Sequence, residues 1–354
     1  VPETGREGRS LQGWTIHGGR LNDARRGWPD APEPWLDLST GINARAWPGA
    51  AIMEIDWRQL PDDGELDILE GVAAEHFGVL PRHICALPGT EIGLRLLAMV
   101  GLSTDACHVV PGYRTHAEAF SRSKPITATD LAAGPATVAA RDRAVLLANP
   151  NNPDGRFIPA DELMRLARAM QEAGGWLIVD EAFADLSPAM SIASHIGENL
   201  PLIVFRSFGK FFGLPGLRLG FVLGPQRVIG QFRRLLGSWP VSTAALRIGT
   251  AAYRDHAWIA GMRNSLADDA HALDAVLLQH GYRPTGACPL FRLIETEDAG
   301  GLFERLARQG ILTRPFDYDP RWLRIGLPGK AAGLNRLDRA LSNQMTSHPI
   351  ATDG

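Results

Sequence analysis

The chain has 354 residues, 45% hydrophobic and 21% charged, an ordinary globular balance. Its 36 Lys and Arg against 39 Asp and Glu leave a formal charge of −3, so no basic field is present to attract nucleic acid or an anionic membrane. Cys85, Cys107 and Cys288 are scattered without CxxC spacing, no apolar run reaches membrane-spanning length, and "VPETGREGRSLQGW" has no apolar signal core. Together these predict a soluble cytoplasmic protein.

In chain order, residues 1–50 are rich in Gly, Pro and Trp and read as an irregular arm that also supplies part of a smaller domain. From "LDILEGVAAEHFGV" onward, helical patterns alternate with short apolar runs. The runs "CHVV" (107–110), "AVLLA" (144–148), "WLIVD" (176–180), "LIVF" (202–205) and "LGFVL" (219–223) read as buried parallel strands. Between two of them, "ADELMRLARAMQEAGG" carries Leu163, Leu166 and Met170 on one helical face and ends in glycine. This rhythm predicts a large α/β domain over 51–238, with a mostly parallel central sheet and its functional loops at the strands' carboxyl ends. After Trp239 a long helical stretch to His280, then "PLFRLIE", "GLFERLARQG" and "WLRIGLP", predict a smaller α+β domain over 239–354. The last residues, "SNQMTSHPIATDG", are expected to fray.

Several strand ends carry chemistry. "WLIVDEAF" delivers Asp180 directly after four apolar residues, either at the exposed mouth of the sheet or half-buried against a positive group. "LLANPNNPDG" ends another run in turn-forming residues. "LPGTEIGLRLLAMV" sets Gly89, Thr90 and Glu91 at a helix start, where free N–H groups attract anions, although the same residues make an unremarkable cap. In "FRSFGKFFGLPGLRLG" one lysine, Lys210, sits among aromatics and glycines. Desolvation there favours the neutral amine that carbonyl chemistry requires. Ser207 and Arg218 flank it and suit a phosphate. An aldehyde-reactive amine, phosphate binders and an acid able to pair with a ring nitrogen together call for pyridoxal 5'-phosphate.

"NPNNPDG", "VDEAF", "SFGKFFGLPGLRLG" and "LRIG" resemble the signature set of the class I/II aminotransferase family, fold type I of the pyridoxal-phosphate enzymes, over nearly the whole chain. The resemblance implies that Lys210 bonds covalently to the cofactor and that Asp180 keeps its pyridine nitrogen protonated. Tyr113 would stack on the ring, and Asn152 would bond the ring's phenolic oxygen. Gly89, Thr90, Ser207 and Arg218 would hold the phosphate, with Glu91 adding its backbone N–H. Arg324 falls where the family binds a substrate carboxylate. The chain departs from the pattern at Phe183, where a tyrosine hydroxyl often assists Asn152. It departs again at Leu60, where relatives often carry a tyrosine that reaches a neighbouring subunit's phosphate. A homodimer is implied by the resemblance alone.

Within that family, "IHGGRLNDARR", "WLDLSTGINARAWP" and "SWPVSTAAL" resemble the threonine-phosphate decarboxylases of cobalamin biosynthesis, with Ala44 where a proline usually follows Asn43. The implied reaction converts L-threonine O-3-phosphate into (R)-1-aminopropan-2-yl phosphate and carbon dioxide. Histidinol-phosphate aminotransferases are the alternative, but their usual "NENP"-like opening is missing. Substrate ligands are expected among His17, Asn43, Arg314 and Arg324; His17 reads equally as an ordinary loop histidine, and Arg314 also as a surface arginine before a proline. Which arginine meets phosphate and which meets carboxylate stays open. A nicotinamide dehydrogenase is excluded because "LPGTEIGL" fails the G-x-G-x-x-G spacing, and a zinc enzyme because the ten histidines show no HExxH. No metal is expected. A non-catalytic regulator on this fold would not need Lys210, Asp180, Asn152 and Arg218 together.

Overall fold

The computed structural model describes residues 11–102, 105–134, 138 and 143–342. The tail expected to fray lies outside the described residues beyond Ser342. In chain order the strands are β1 (Leu36–Asp37), β2 (Ile84–Leu87), β3 (Asp105–Val110), β4 (Arg122–Thr127), β5 (Ala144–Ala148), β6 (Trp176–Asp180) and β7 (Leu202–Ser207). They continue with β8 (Gly220–Leu223), β9 (Pro284–Thr285), β10 (Phe291–Glu295), β11 (Ile311–Leu312), β12 (Arg314–Pro315) and β13 (Trp322–Gly326). Contacts divide the chain into two units. Of the described residues, the larger holds those of Ile42–Asp268 with Gly286–Pro289; the smaller holds 11–41, Asp269–Thr285 and 290–342. The helix His256–Gln279 begins in the larger unit and ends in the smaller, so the change of pattern after Trp239 lies inside the larger one.

The larger unit is built on a seven-stranded sheet in the order β2-β8-β7-β6-β5-β3-β4. β2, β5, β6 and β8 are buried along their whole length, which explains their unbroken apolar character. β4, "RSKPIT", is polar and carries Pro125, as an edge strand tolerates. Helix Ala160–Glu172 turns Leu163, Leu166, Ala167 and Met170 into the core. Helix Asp63–Phe77 is capped by Asp62, whose carboxylate accepts from the Glu65 N–H at 3.0 Å, and it ends on left-handed Gly78.

β3 to β7 run parallel, but β8 does not. The expectation of a parallel strand at "LGFVL" is corrected: β8 is antiparallel to both β7 and β2. A parallel return needs a crossover long enough to regain the strand's starting end. The β7–β8 connection holds only the short helix Phe208–Phe211 and a 3-10 turn at Pro215–Leu217, so the chain doubles back at the same end. Ser207 therefore faces Gly220 across the ladder, and Gly220 faces Leu87 on its other side. That return is what carries Lys210 and Arg218.

In the smaller unit, β12-β13-β10-β9 form an antiparallel sheet, and β1 pairs in parallel with β11. The arm is less irregular than its composition implies, since it contributes helix Leu21–Gly27 as well as β1. No helix among the described residues is long and apolar enough to cross a membrane.

Candidate active site

Sheet register decides which side chains meet. Ala148 and Asp180 end β5 and β6 and lie side by side with Phe205, which β7 carries just before its end at Ser207. The loops leaving β2, β3 and β5 carry Gly89, Tyr113 and Asn152 at the same edge, the position where open α/β sheets bind ligands. One pocket in the larger unit is lined by Gly89, Thr90, Glu91, Tyr113, Asn152 and Asp180, and by Ser207, Lys210 and Arg218. All nine residues expected around the cofactor are thus brought together. Phe183 shares the pocket, its ring centre 5.8 Å from the Lys210 Nζ.

The anion end of the pocket is set by a close approach. Gly89 has φ +88°, and a Cβ built there would lie 2.5 Å from the Arg218 Nη2. Only a glycine lets that guanidinium lie against the backbone that opens helix Thr90–Leu96. Arg218 is itself left-handed, at φ 54°, and donates to the Pro215 carbonyl at 3.1 Å.

The acid and the aromatic are held from behind. Asp180 is 5% exposed; its Oδ2 lies 3.1 Å from the Nε2 of fully buried His116, and its Oδ1 accepts from the Ala182 N–H at 3.1 Å. His116 went unnoticed in the sequence; its signal was a histidine three residues after Tyr113 in "GYRTH", where a turn closes with the His116 N–H donating to the Tyr113 carbonyl at 2.9 Å. The Tyr113 hydroxyl donates to Glu91 Oε2 at 2.9 Å, Thr115 donates to the same oxygen at 2.8 Å, and Arg95 donates to Oε1 at 2.7 Å. Burial, then the Glu91 charge, pushes the Tyr113 phenol up to about 12. Burial alone would raise Glu91, but the hydrogen bonds from Thr115, Arg95 and Tyr113 hold it below the usual carboxylate range. The Glu91 side chain therefore acts where only its backbone N–H was expected to.

The four expected substrate ligands lie elsewhere. Asn43 is in the larger unit, 3% exposed, with its amide on the lysine turn: Nδ2 donates to the Phe211 carbonyl at 2.9 Å. His17, Arg314 and Arg324 belong to the smaller unit, His17 at its surface and the two arginines buried. Arg314 and Arg324 stand directly opposite each other on β12 and β13. Each guanidinium carbon lies 5.0 Å from the centre of a ring, that of Phe316 and of Phe291 respectively.

The family profile described as aminotransferase class I and II matches residues 116–341. The chain is 40% identical to a threonine-phosphate decarboxylase from a Sinorhizobium species, covering 92% of this chain and 97% of that one. It is 37% identical to the threonine-phosphate decarboxylase of Pseudomonas aeruginosa, over 92% and 96% of the two chains. A solved histidinol-phosphate aminotransferase from Sinorhizobium meliloti, in complex with pyridoxal-5'-phosphate, superposes with a TM-score of 0.80 at 21% identity, over 96% and 98%. That likeness bears on the fold, which is fold type I of the pyridoxal-phosphate enzymes, as the sequence motifs implied. By the profile match and the near full-length identities, the chain belongs to the class I and II aminotransferase family.

Proposed function

We propose that this protein is a pyridoxal-phosphate-dependent carboxy-lyase that decarboxylates L-threonine O-3-phosphate to (R)-1-aminopropan-2-yl phosphate, a step of cobalamin biosynthesis. The observation that carries the reading is the near full-length identity to two threonine-phosphate decarboxylases, at 40% and 37%. The pocket fits the cofactor: an amine, a buried carboxylate, a flat phenol and a glycine cradle that a Cβ would fill converge on one cavity.

Bound there, the cofactor supplies an aldehyde that bonds reversibly to amines and a protonated ring that accepts the electron pair of a breaking Cα bond. Lys210, whose amine lines the pocket, would be the residue that holds the cofactor covalently and yields that bond to the substrate amine. Asp180, fixed by His116 and the Ala182 N–H, keeps the ring nitrogen protonated. Tyr113, tied to Glu91, provides a flat wall, and Asn152 bonds the phenolic oxygen without help from Phe183. Gly89, Thr90, Glu91, Ser207 and Arg218, which line the pocket, would hold the phosphate through N–H, hydroxyl and guanidinium donors. Tyr113, Asp180 and Lys210 are the catalytic residues. The residues that hold the substrate carboxylate would decide which Cα bond is activated, and so whether carbon dioxide is lost or the amino group is transferred. Lys210, released from the cofactor, would be the proton donor to Cα after loss of carbon dioxide.

A substrate with both phosphate and carboxylate needs more than one cation. Arg314 and Arg324, paired across β12 and β13, supply two, and we assign the substrate's two anionic groups to them, with His17 as a further ligand; Asn43, expected among these ligands, has its amide committed to the Phe211 carbonyl and the Arg45 N–H. We also propose a cytoplasmic homodimer. The three cysteines are buried, and Ile52, Trp57 and Leu60 of the larger unit are 85%, 78% and 62% exposed, an apolar surface a second copy would cover. Light scattering after size exclusion tests the dimer.

The deciding assay mixes cofactor-loaded protein with L-threonine O-3-phosphate and no oxo-acid acceptor, and measures carbon dioxide. Multiple-turnover release that Lys210→Ala abolishes is expected. No release, together with glutamate formed from histidinol phosphate and 2-oxoglutarate, would make the protein an aminotransferase.

A further inference from the structure

The lysine stands on a helix that cannot hold itself. Phe208–Phe211 is four residues long, below any length stable in isolation, and its last carbonyls have no partner within the helix. Those carbonyls are met by a segment far away in sequence. The Asn43 N–H donates to the Lys210 carbonyl at 3.0 Å, the Asn43 Nδ2 donates to that of Phe211 at 2.9 Å, and the Trp47 N–H donates to that of Phe212 at 2.9 Å. Three consecutive acceptors of the lysine turn are thus answered by one strap.

The strap is itself shaped and anchored. Asn43 Oδ1 accepts from the Arg45 N–H at 2.9 Å, which closes a turn. The Trp47 indole is buried and donates to Asp255 at 3.0 Å. Gly213, at φ +66°, passes so close that a Cβ there would lie 2.6 Å from the Asn43 carbonyl oxygen and 2.8 Å from Ala46 Cα. On the other side of the turn the contacts are apolar: Phe212 stacks on Phe208 at 4.4 Å and on Trp258 at 5.6 Å. Apolar stacking resists separation but permits sliding, whereas three directed hydrogen bonds set the position along the chain.

We propose that Asn43–Trp47 is a strap that sets the position of Lys210, with Asn43 as its positioning residue. Asparagine suits the place because one side chain offers both the donor that Phe211 needs and the acceptor that the turn needs. The inference rests on Lys210 being the cofactor-bearing amine and not on which reaction follows.

The test uses protein loaded with pyridoxal phosphate and needs no substrate: the absorbance of the lysine-bound cofactor is titrated against pH. In Asn43→Ala the midpoint is expected to move by about half a pH unit or more. The turnover number should fall about tenfold to a hundredfold, as a displacement of about 1 Å at the reacting group would cause, with KM within about twofold. Gly213→Ala, which pushes the strap away while keeping the Asn43 side chain, should move the midpoint as well. A loaded Asn43→Ala protein with wild-type midpoint and turnover, or a change confined to KM, overturns the proposal. Hydrogen exchange on the wild-type holoenzyme tests it even where the variants fail to fold. The Asn43 and Trp47 amides should be protected like those of β7, and fast exchange there also overturns the strap. Because the titration contains no substrate, it stands even if the enzyme proves to transaminate.

Discussion

His116 and Asp180 form a buried pair at the back of the pocket, Nε2 to Oδ2 at 3.1 Å, with the imidazole fully shielded from solvent. The histidine reaches the acid from the single helical turn Thr115–Glu118, while Asp180 comes from the end of β6. The Tyr113 ring meets the same imidazole edge-on, centroids 5.7 Å apart. One side chain thus braces both the acid and the aromatic.

Replacing His116 with Phe fills the space but leaves Asp180 Oδ2 without this partner in a buried position. We expect a loss of about 1–3 kcal/mol, the cost of an unmet buried acceptor. Urea unfolding followed by fluorescence measures it, and the expected sign is a lower midpoint at unchanged slope.

A second buried network borders the same strands. Arg206, 2% exposed, pairs with Glu181 and Asp185, and His76 also reaches Asp185. Burial, the largest single influence, would raise Asp185, but the charges and hydrogen bonds of Arg206 and His76 together hold it well below the usual carboxylate range. Arg206→Met strands two buried carboxylates and should cost about 3–5 kcal/mol. The triple change Arg206→Met, Glu181→Gln, Asp185→Asn should cost less than the single one, which thermal unfolding of both proteins would check.

Gly89→Ala places a methyl group against Arg218 on a left-handed backbone. Pushing that guanidinium aside weakens a charge-assisted hydrogen bond worth about 1.5–3 kcal/mol, a roughly tenfold to hundredfold loss of cofactor affinity. Titrating apoprotein with pyridoxal phosphate, read by tryptophan quenching, gives the number.

The Tyr113 phenol, raised from 10.0 to about 12, stabilises the fold fully below pH 10 and loses that contribution as pH climbs through 12. Glu91→Gln removes the neighbouring charge and should lower the Tyr113 ionisation toward 10 without reaching it, because burial is the larger cause. Phenolate absorbance of Glu91→Gln, minus that of Glu91→Gln with Tyr113→Phe, isolates the group.

Local pattern by itself determined the strands whose whole length is buried. "AVLLA" and "WLIVD" coincide with β5 and β6 because a sheet covered on both faces demands continuous apolar residues. Helix Ala160–Glu172 was equally legible from its spaced Leu163, Leu166 and Met170. β4 was not, since "RSKPIT" has the polarity that an edge strand permits. Strand direction was not legible either. An apolar run carries no arrow, and β8 is reversed because the return from β7 is too short for a crossover. Residue chemistry together with family resemblance nominated the nine pocket residues, but their convergence comes from register, which lines up Ala148, Asp180 and Phe205 and sets Ser207 against Gly220. The supports behind them were decided by tertiary structure alone. His116 meets Asp180, and Asn43 meets the lysine turn, across spans of chain that local periodicity does not encode; hydrogen bonds between distant segments exist only once the sheet has brought the strand ends together.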